Sequence, residues 1–126
     1  MKISEILKEK MSFSFEVFPP KTDKPMEPLL ETLDKLYRFK PDYVSCTYGA
    51  GGTNKGRNVE VCKAIHDSGN NAMTHFTCIG NTREDISKSM EEYRDMGIQN
   101  VLALRGDLPE GWEDTGGYFS HADRLI

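Results

Sequence analysis

Residues 72–104, AMTHFTCIGNTREDISKSMEEYRDMGIQNVLAL, hold one complete strand–helix–strand unit. Ala72–Ile79 is a short apolar, strand-like run. Thr82 and Asp85 then have the spacing of a capping box, in which two side chains satisfy free amides of a helix's first turn. Ile86, Met90 and Tyr93 recur at helical spacing and predict a buried stripe, and Gly97 is placed to end the helix. Val101–Leu104 is the next apolar run. Two strands joined by a helix favour parallel pairing, because parallel strands need a long crossover.

The same alternation extends outward in both directions. Upstream, Phe13–Phe18 and Tyr43–Tyr48 read as strands. Between them Asp23 and Pro25 mark a helix start, Met26, Leu29, Leu30, Leu33, Leu36 and Tyr37 form its apolar face, and Pro41 stops it. Pro19-Pro20 closes the first strand, since proline cannot donate to a ladder. The second strand runs into the flexible loop Gly49-Ala50-Gly51-Gly52, followed by a helix that turns Val59, Cys62 and Ile65 inward and stops at Gly69. Residues 1–10 predict a short amphipathic helix with Ile3, Ile6 and Leu7 on one face. A loop rich in glycine and acid covers 110–117, and Tyr118–Ile126 reads as the start of a further helix. The order βαβαβαβ places the chain in the α/β class. Four βα units match half of an eight-stranded barrel, which needs ~250 residues; an open four-stranded sheet fits the count equally well.

The 126 residues are expected to form a single domain, 1–126, with 37% apolar and 29% charged residues. A net charge of −4, with lysine and arginine scattered, argues against nucleic acid or an anionic membrane as partner. No stretch is apolar enough to span a bilayer, and no signal peptide opens the chain. Cys46, Cys62 and Cys78 share no CxxC spacing, so neither a disulfide framework nor a zinc site is indicated, and reduced thiols in a cytoplasmic protein are expected.

Four strand runs each end in a chemically useful group: Glu16, Thr47, His75 and Asp107. In parallel sheets, binding and catalytic groups gather at the carboxyl ends of the strands. Glu16 is flanked by aromatics and prolines, a dry setting that raises a carboxyl pKa and suits a general acid; a strand-end glutamate facing water is the plain alternative. Gly106 would allow close backbone approach to a ligand, with Asp107 as a fixed negative charge. Arg105-Gly106-Asp107 also matches a short adhesion tripeptide, but here it abuts a buried strand, and a salt bridge from Arg105 is the ordinary role. The Gly49–Asn54 loop leads into a helix, where phosphate meets free amides, but Asn54 stands where GxGxxG needs its third glycine. His75 has no neighbour at metal spacing, and a hydrogen-bonded interior histidine is the expected role, so no metal is expected.

Four segments together resemble the methylenetetrahydrofolate reductase family: Ser14-Phe15-Glu16-Val17-Phe18-Pro19-Pro20, Val44-Ser45-Cys46-Thr47-Tyr48-Gly49-Ala50, His75-Phe76-Thr77-Cys78-Ile79 and Ala103-Leu104-Arg105-Gly106-Asp107-Leu108-Pro109. The resemblance implies a (β/α)8 TIM barrel, of which this chain covers about the first four βα units, holding FAD at the strand ends. It implies reduction of 5,10-methylenetetrahydrofolate to 5-methyltetrahydrofolate in one-carbon metabolism, with FAD reduced by NADH or NADPH in a ping-pong sequence. By that likeness Glu16 and Asp107 are catalytic, Glu16 as general acid. Thr47 falls where the family contacts the nicotinamide donor. Tyr48, Ala50, His75, Arg105, Gly106, Asp107 and Tyr118 fall on flavin-contacting positions, and Asp107 also on the folate. An electron-donor partner protein is the alternative to a nicotinamide. The family's later strands are absent from this sequence, so the chain is expected to be inactive alone, and an exposed inner apolar face and two strand edges predict a homo-oligomer. A non-catalytic half-barrel or assembly module that binds no flavin is the alternative reading.

Overall fold

The computed structural model describes residues 1–48, 55–108, 110–113 and 121–126. Four strands, β1 (Ser14–Val17), β2 (Tyr43–Cys46), β3 (Ala72–Thr77) and β4 (Asn100–Leu104), form one sheet in the order β1-β2-β3-β4, and every pair is parallel. Helix α1 (Ile3–Glu9) precedes the sheet, and α2 (Glu27–Tyr37), α3 (Lys55–Asp67) and α4 (Arg83–Asp95) are the crossovers. The α/β class and the alternation expected from sequence are present. β1 and β4 are edges that do not pair with one another, so the four strands do not by themselves close a barrel.

Local chemistry sets the element ends. Thr82 Oγ1 accepts from the Asp85 amide at 3.2 Å while Asp85 Oδ2 accepts from the Thr82 amide at 2.8 Å, the reciprocal pair expected of a capping box. At the other end of α4, Gly97 turns left-handed (φ +83), and the Ile98 amide reaches back to the Tyr93 carbonyl. A side chain there would also meet His66 Nε2 at 2.7 Å. α2 begins at Glu27, later than the Asp23–Pro25 signal. Its second residue is Pro28, whose missing amide costs nothing in a first turn. It ends at Tyr37, before Lys40 (φ +51) and Pro41.

α2, α3 and α4 contribute Leu33, Ile65 and Tyr93 to one core with Val44 and Phe76 of the sheet. Within the expected stripes, Leu33, Cys62, Ile65 and Tyr93 are buried, whereas Leu30 lies at the exposed margin. α1 lies at the N-terminal strand ends, where the Ile3 amide donates to Asn100 Oδ1 at 2.8 Å and the Met1 ammonium to Asn71 Oδ1 at 2.9 Å. Only part of its expected face is inward: Ile6 is buried, but Leu7 points to solvent. Of the helix expected over Tyr118–Ile126, a 3-10 turn at Ala122–Leu125 is described, and residues 114–120 lie outside the described residues.

Alternation along the strands separates two faces. Thr74 and Phe76 point to the helices, so His75 and Thr77 point to the other side, level with Leu102 and Leu104 of β4. The expectation of an apolar inner face is thus corrected in part: Glu16 and Ser45, register mates, put polar groups there. Exposed apolar side chains at the sheet's edges include Phe13 and Phe18 flanking β1 and Val101 and Leu102 on β4.

The Asp42 carboxyl, just before β2, accepts from Lys10 and from the Phe13 amide, and these bonds hold it below its ordinary carboxylate value. A group whose pKa is lowered on folding stabilises the fold above its unfolded value, near 3.9, and loses that effect as pH falls through its folded value. Asp42→Asn is therefore expected to be less stable than wild type in urea denaturation at pH 7, with the gap closing towards pH 2. A gap that does not change with pH would contradict this account.

Candidate active site

The carboxyl ends of the strands border a cavity of about 470 Å³. Phe18 and Pro19 follow β1, Thr47 and Tyr48 follow β2, His75 and Thr77 belong to β3, and Leu104 through Asp107 close β4; all line the cavity. The structure therefore gathers Thr47, Tyr48, His75, Arg105, Gly106 and Asp107 around one space, and Glu16 joins them through His75. Ala50 and Tyr118, the other two candidate positions, lie outside the described residues.

Glu16 Oε2 stands 3.3 Å from His75 Nε2 and accepts from Ser45 Oγ at 3.4 Å. The approach to His75 is close, but the imidazole is not aligned for a hydrogen bond: Nε2 is buried without a partner among the described residues. Thr77 Oγ1 is in the same condition. The dry setting expected around Glu16 is corrected, because its side chain is 51% exposed. The flanking Phe15 packs against the core and Phe18 is exposed, so neither aromatic covers the carboxyl.

Tyr48 is buried against Phe76, ring centroids 5.1 Å apart, and burial raises its phenol pKa. It thus forms the cavity floor and part of the core at once. Gly106 takes φ +84, a turn that a side chain would strain, and the Arg105 Nε–H donates to the Gly106 carbonyl at 3.0 Å. Asp107 is exposed beside them. Its carboxylate has no covering layer among the described residues and is available to a ligand.

Two residues that support this end of the sheet were not singled out by sequence reasoning. Asn58, on α3, is fully buried. Its Nδ2 donates to the Cys46 and Thr47 carbonyls, both at 3.0 Å, and its Oδ1 accepts from Thr74 Oγ1 and Tyr93 Oη, both at 2.8 Å. Burial raises the Tyr93 phenol pKa strongly, so it remains the donor. Asn58 thus fixes the strand end that carries Thr47 and the residue that precedes His75. Arg57, next to it, donates from Nη2 to the Thr22 and Lys24 carbonyls at 3.0 and 2.9 Å and tethers the loop after β1. A polar residue inside an otherwise apolar helical face was the available signal for Asn58. Arg57 gave none, because its partners are backbone carbonyls more than thirty residues away.

The three cysteines are buried and form no disulfide with one another. The Cys62 neighbour and burial keep the Cys46 thiol protonated. Among the described residues no group of three or more His, Cys, Asp or Glu could hold a metal ion, and no helix is long and apolar enough to cross a membrane. A second cavity, of about 370 Å³, lies at the N-terminal strand ends beside Asn71 and Asn100, whose Oδ1 atoms accept from Met1 and Ile3.

Comparison with known proteins agrees with the resemblance. Residues 2–126 match the family described as methylenetetrahydrofolate reductase. The chain is 39% identical to the 5,10-methylenetetrahydrofolate reductase of Escherichia coli K12, over 80% of this chain and 34% of that protein. It is 39% identical to the Pectobacterium carotovorum protein of that name, over 82% and 35%. It is 42% identical to Arabidopsis thaliana methylenetetrahydrofolate reductase (NADH) 1, over 79% and 17%. The chain thus spans about a third of its bacterial relatives and a sixth of the plant one.

Asn58→Ala is expected to leave two carbonyls and two hydroxyls without their partner, at a cost of about 3 kcal/mol. Urea denaturation measures it. A loss below about 1 kcal/mol would show that water or relaxation replaces the network.

Proposed function

Because this chain belongs to the methylenetetrahydrofolate reductase family, we propose that it forms the proton-donating and cofactor-contacting part of a flavin-dependent reductase that converts 5,10-methylenetetrahydrofolate to 5-methyltetrahydrofolate. The observation that carries the reading is the convergence of Thr47, Tyr48, His75, Arg105, Gly106 and Asp107 on one cavity, with Glu16 against His75. On this reading the chain contributes the first four units of a (β/α)8 barrel, as a single domain of a cytoplasmic protein that associates with itself. The exposed apolar side chains flanking β1 and on β4 support that association.

The residues present fit FAD. Two buried polar atoms beside the cavity, His75 Nε2 and Thr77 Oγ1, make no hydrogen bond among the described residues, and the left-handed Gly106 removes a side chain from its rim. His75, Tyr48, Arg105, Gly106 and Asp107 would hold the flavin, together with Ala50 and Tyr118. Bound FAD supplies hydride transfer, accepting from NADH or NADPH and delivering to the folate carbon. Thr47 contacts the nicotinamide donor at the end of β2. Glu16 holds the proton that opens the folate's five-membered ring, with Ser45 Oγ donating to its carboxyl and His75 beside it. Its exposed side chain can reach a substrate entering from the open side of the sheet. Asp107 touches both flavin and folate at the rim, where its negative charge stabilises a cationic iminium.

The first test is a visible spectrum of the purified chain after FAD is added and the excess removed. Retained flavin absorbance that NADH or NADPH bleaches is the expected result; a folded but colourless chain contradicts the reading. Glu16→Gln then separates the half-reactions in the chain fused to the later strands of the Escherichia coli relative. Folate reduction is expected to fall by about 100-fold or more while flavin reduction changes little. Equal survival of both steps would remove Glu16 as the donor.

A further inference from the structure

On the helix-facing side of β3, the Thr74 hydroxyl donates to Asn58 Oδ1 at 2.8 Å and is fully paired. Three positions on, Thr77 faces the other way. It is 4% exposed, and its hydroxyl has no hydrogen-bond partner among the described residues. His75, two residues before it on the same face, is 8% exposed, and its Nε2 lies 3.3 Å from Glu16 Oε2 but makes no hydrogen bond among the described residues. Both side chains line the cavity at the strand ends. An unpaired buried polar atom weakens a fold, so two of them side by side at a cavity wall are better explained by a ligand than by packing.

Resting on the flavin reading of this cavity, we propose that Thr77 is a ligand-contacting residue, its hydroxyl forming with His75 Nε2 a two-point polar contact for the edge of the flavin ring. Same-face neighbours on a strand stand about 6.5 Å apart, a span that suits a fused heteroaromatic edge better than a single compact anion. A threonine hydroxyl both donates and accepts, and an imidazole nitrogen does either according to tautomer. The pair therefore matches a ring edge that carries donors and acceptors together. Rotation about χ1 moves Thr77 Oγ1 among three staggered positions, so the hydroxyl can turn to a ligand without any change of backbone.

Thr77→Val keeps the shape and removes the hydroxyl, and Thr77→Ser keeps the hydroxyl. Both are compared with wild type by thermal unfolding without flavin and by FAD binding, followed through flavin fluorescence. The valine variant is expected to unfold at the wild-type temperature or above, since no hydrogen bond within the protein is lost, and to bind FAD about fivefold more weakly. The serine variant is expected to stay within about twofold of wild type. A valine variant with wild-type FAD affinity overturns the assignment, and early unfolding in that variant would show that the hydroxyl serves the fold. A folded wild-type chain that takes up no FAD overturns the flavin reading itself, and this inference with it.

Discussion

Asn58 is the interaction on which the site end of the sheet depends. A primary amide has two donor hydrogens and two acceptor lone pairs. Here the Cys46 and Thr47 carbonyls take the first two, and the Thr74 and Tyr93 hydroxyls occupy the second two. One side chain on α3 thereby joins the end of β2, the middle of β3 and the inner face of α4. In the low dielectric of a core such a network is strong when complete and costly when broken. It also has only one arrangement, whereas apolar packing alone would tolerate small slippage of one strand against the next. The positions of Thr47 and His75 follow from that fixed arrangement.

The two ends of the sheet treat polar groups differently. At the N-terminal ends, Asn71 and Asn100 accept from Met1 and Ile3, and the asparagine Nδ2 groups donate in turn to the Asp42 and Met1 carbonyls. That end is internally satisfied and serves stability. At the carboxyl ends, Glu16 is half open to solvent, His75 Nε2 and Thr77 Oγ1 make no hydrogen bond among the described residues, and Asp107 is exposed. Departures from full satisfaction cluster where a protein meets its ligand. The division between a stabilising face and a reactive face is the one expected of parallel α/β architecture.

Much of this was legible in the residues. The strand runs, the Thr82–Asp85 cap and the Gly97 stop are local features, decided by side chains within a few positions of one another, and they appear in the structure where the pattern put them. The convergence of Thr47, His75 and Asp107 was legible too, because strand ends in a parallel sheet meet by topology. The setting of Glu16 was not. Of its aromatic neighbours, Phe15 packs against the core and Phe18 lines the cavity but is itself exposed, so the carboxyl stays open to solvent. Leu7 failed for a related reason: α1 touches the sheet at its end, so only a narrow part of its apolar face is covered. Asn58 and Arg57 act over long sequence separations, which no local pattern records.

Each strand pairs with the strand that precedes it in the chain, with no insertion between earlier neighbours. During synthesis a new βα unit therefore finds its docking edge already formed and need not displace anything. Assembly can proceed vectorially from the amino terminus, with loop closure limited to one crossover at a time. At each stage the newest strand presents the same bare ladder that its predecessor did. A nascent chain of this kind is a growing template, and the order of its strands is also a record of the order in which they can fold.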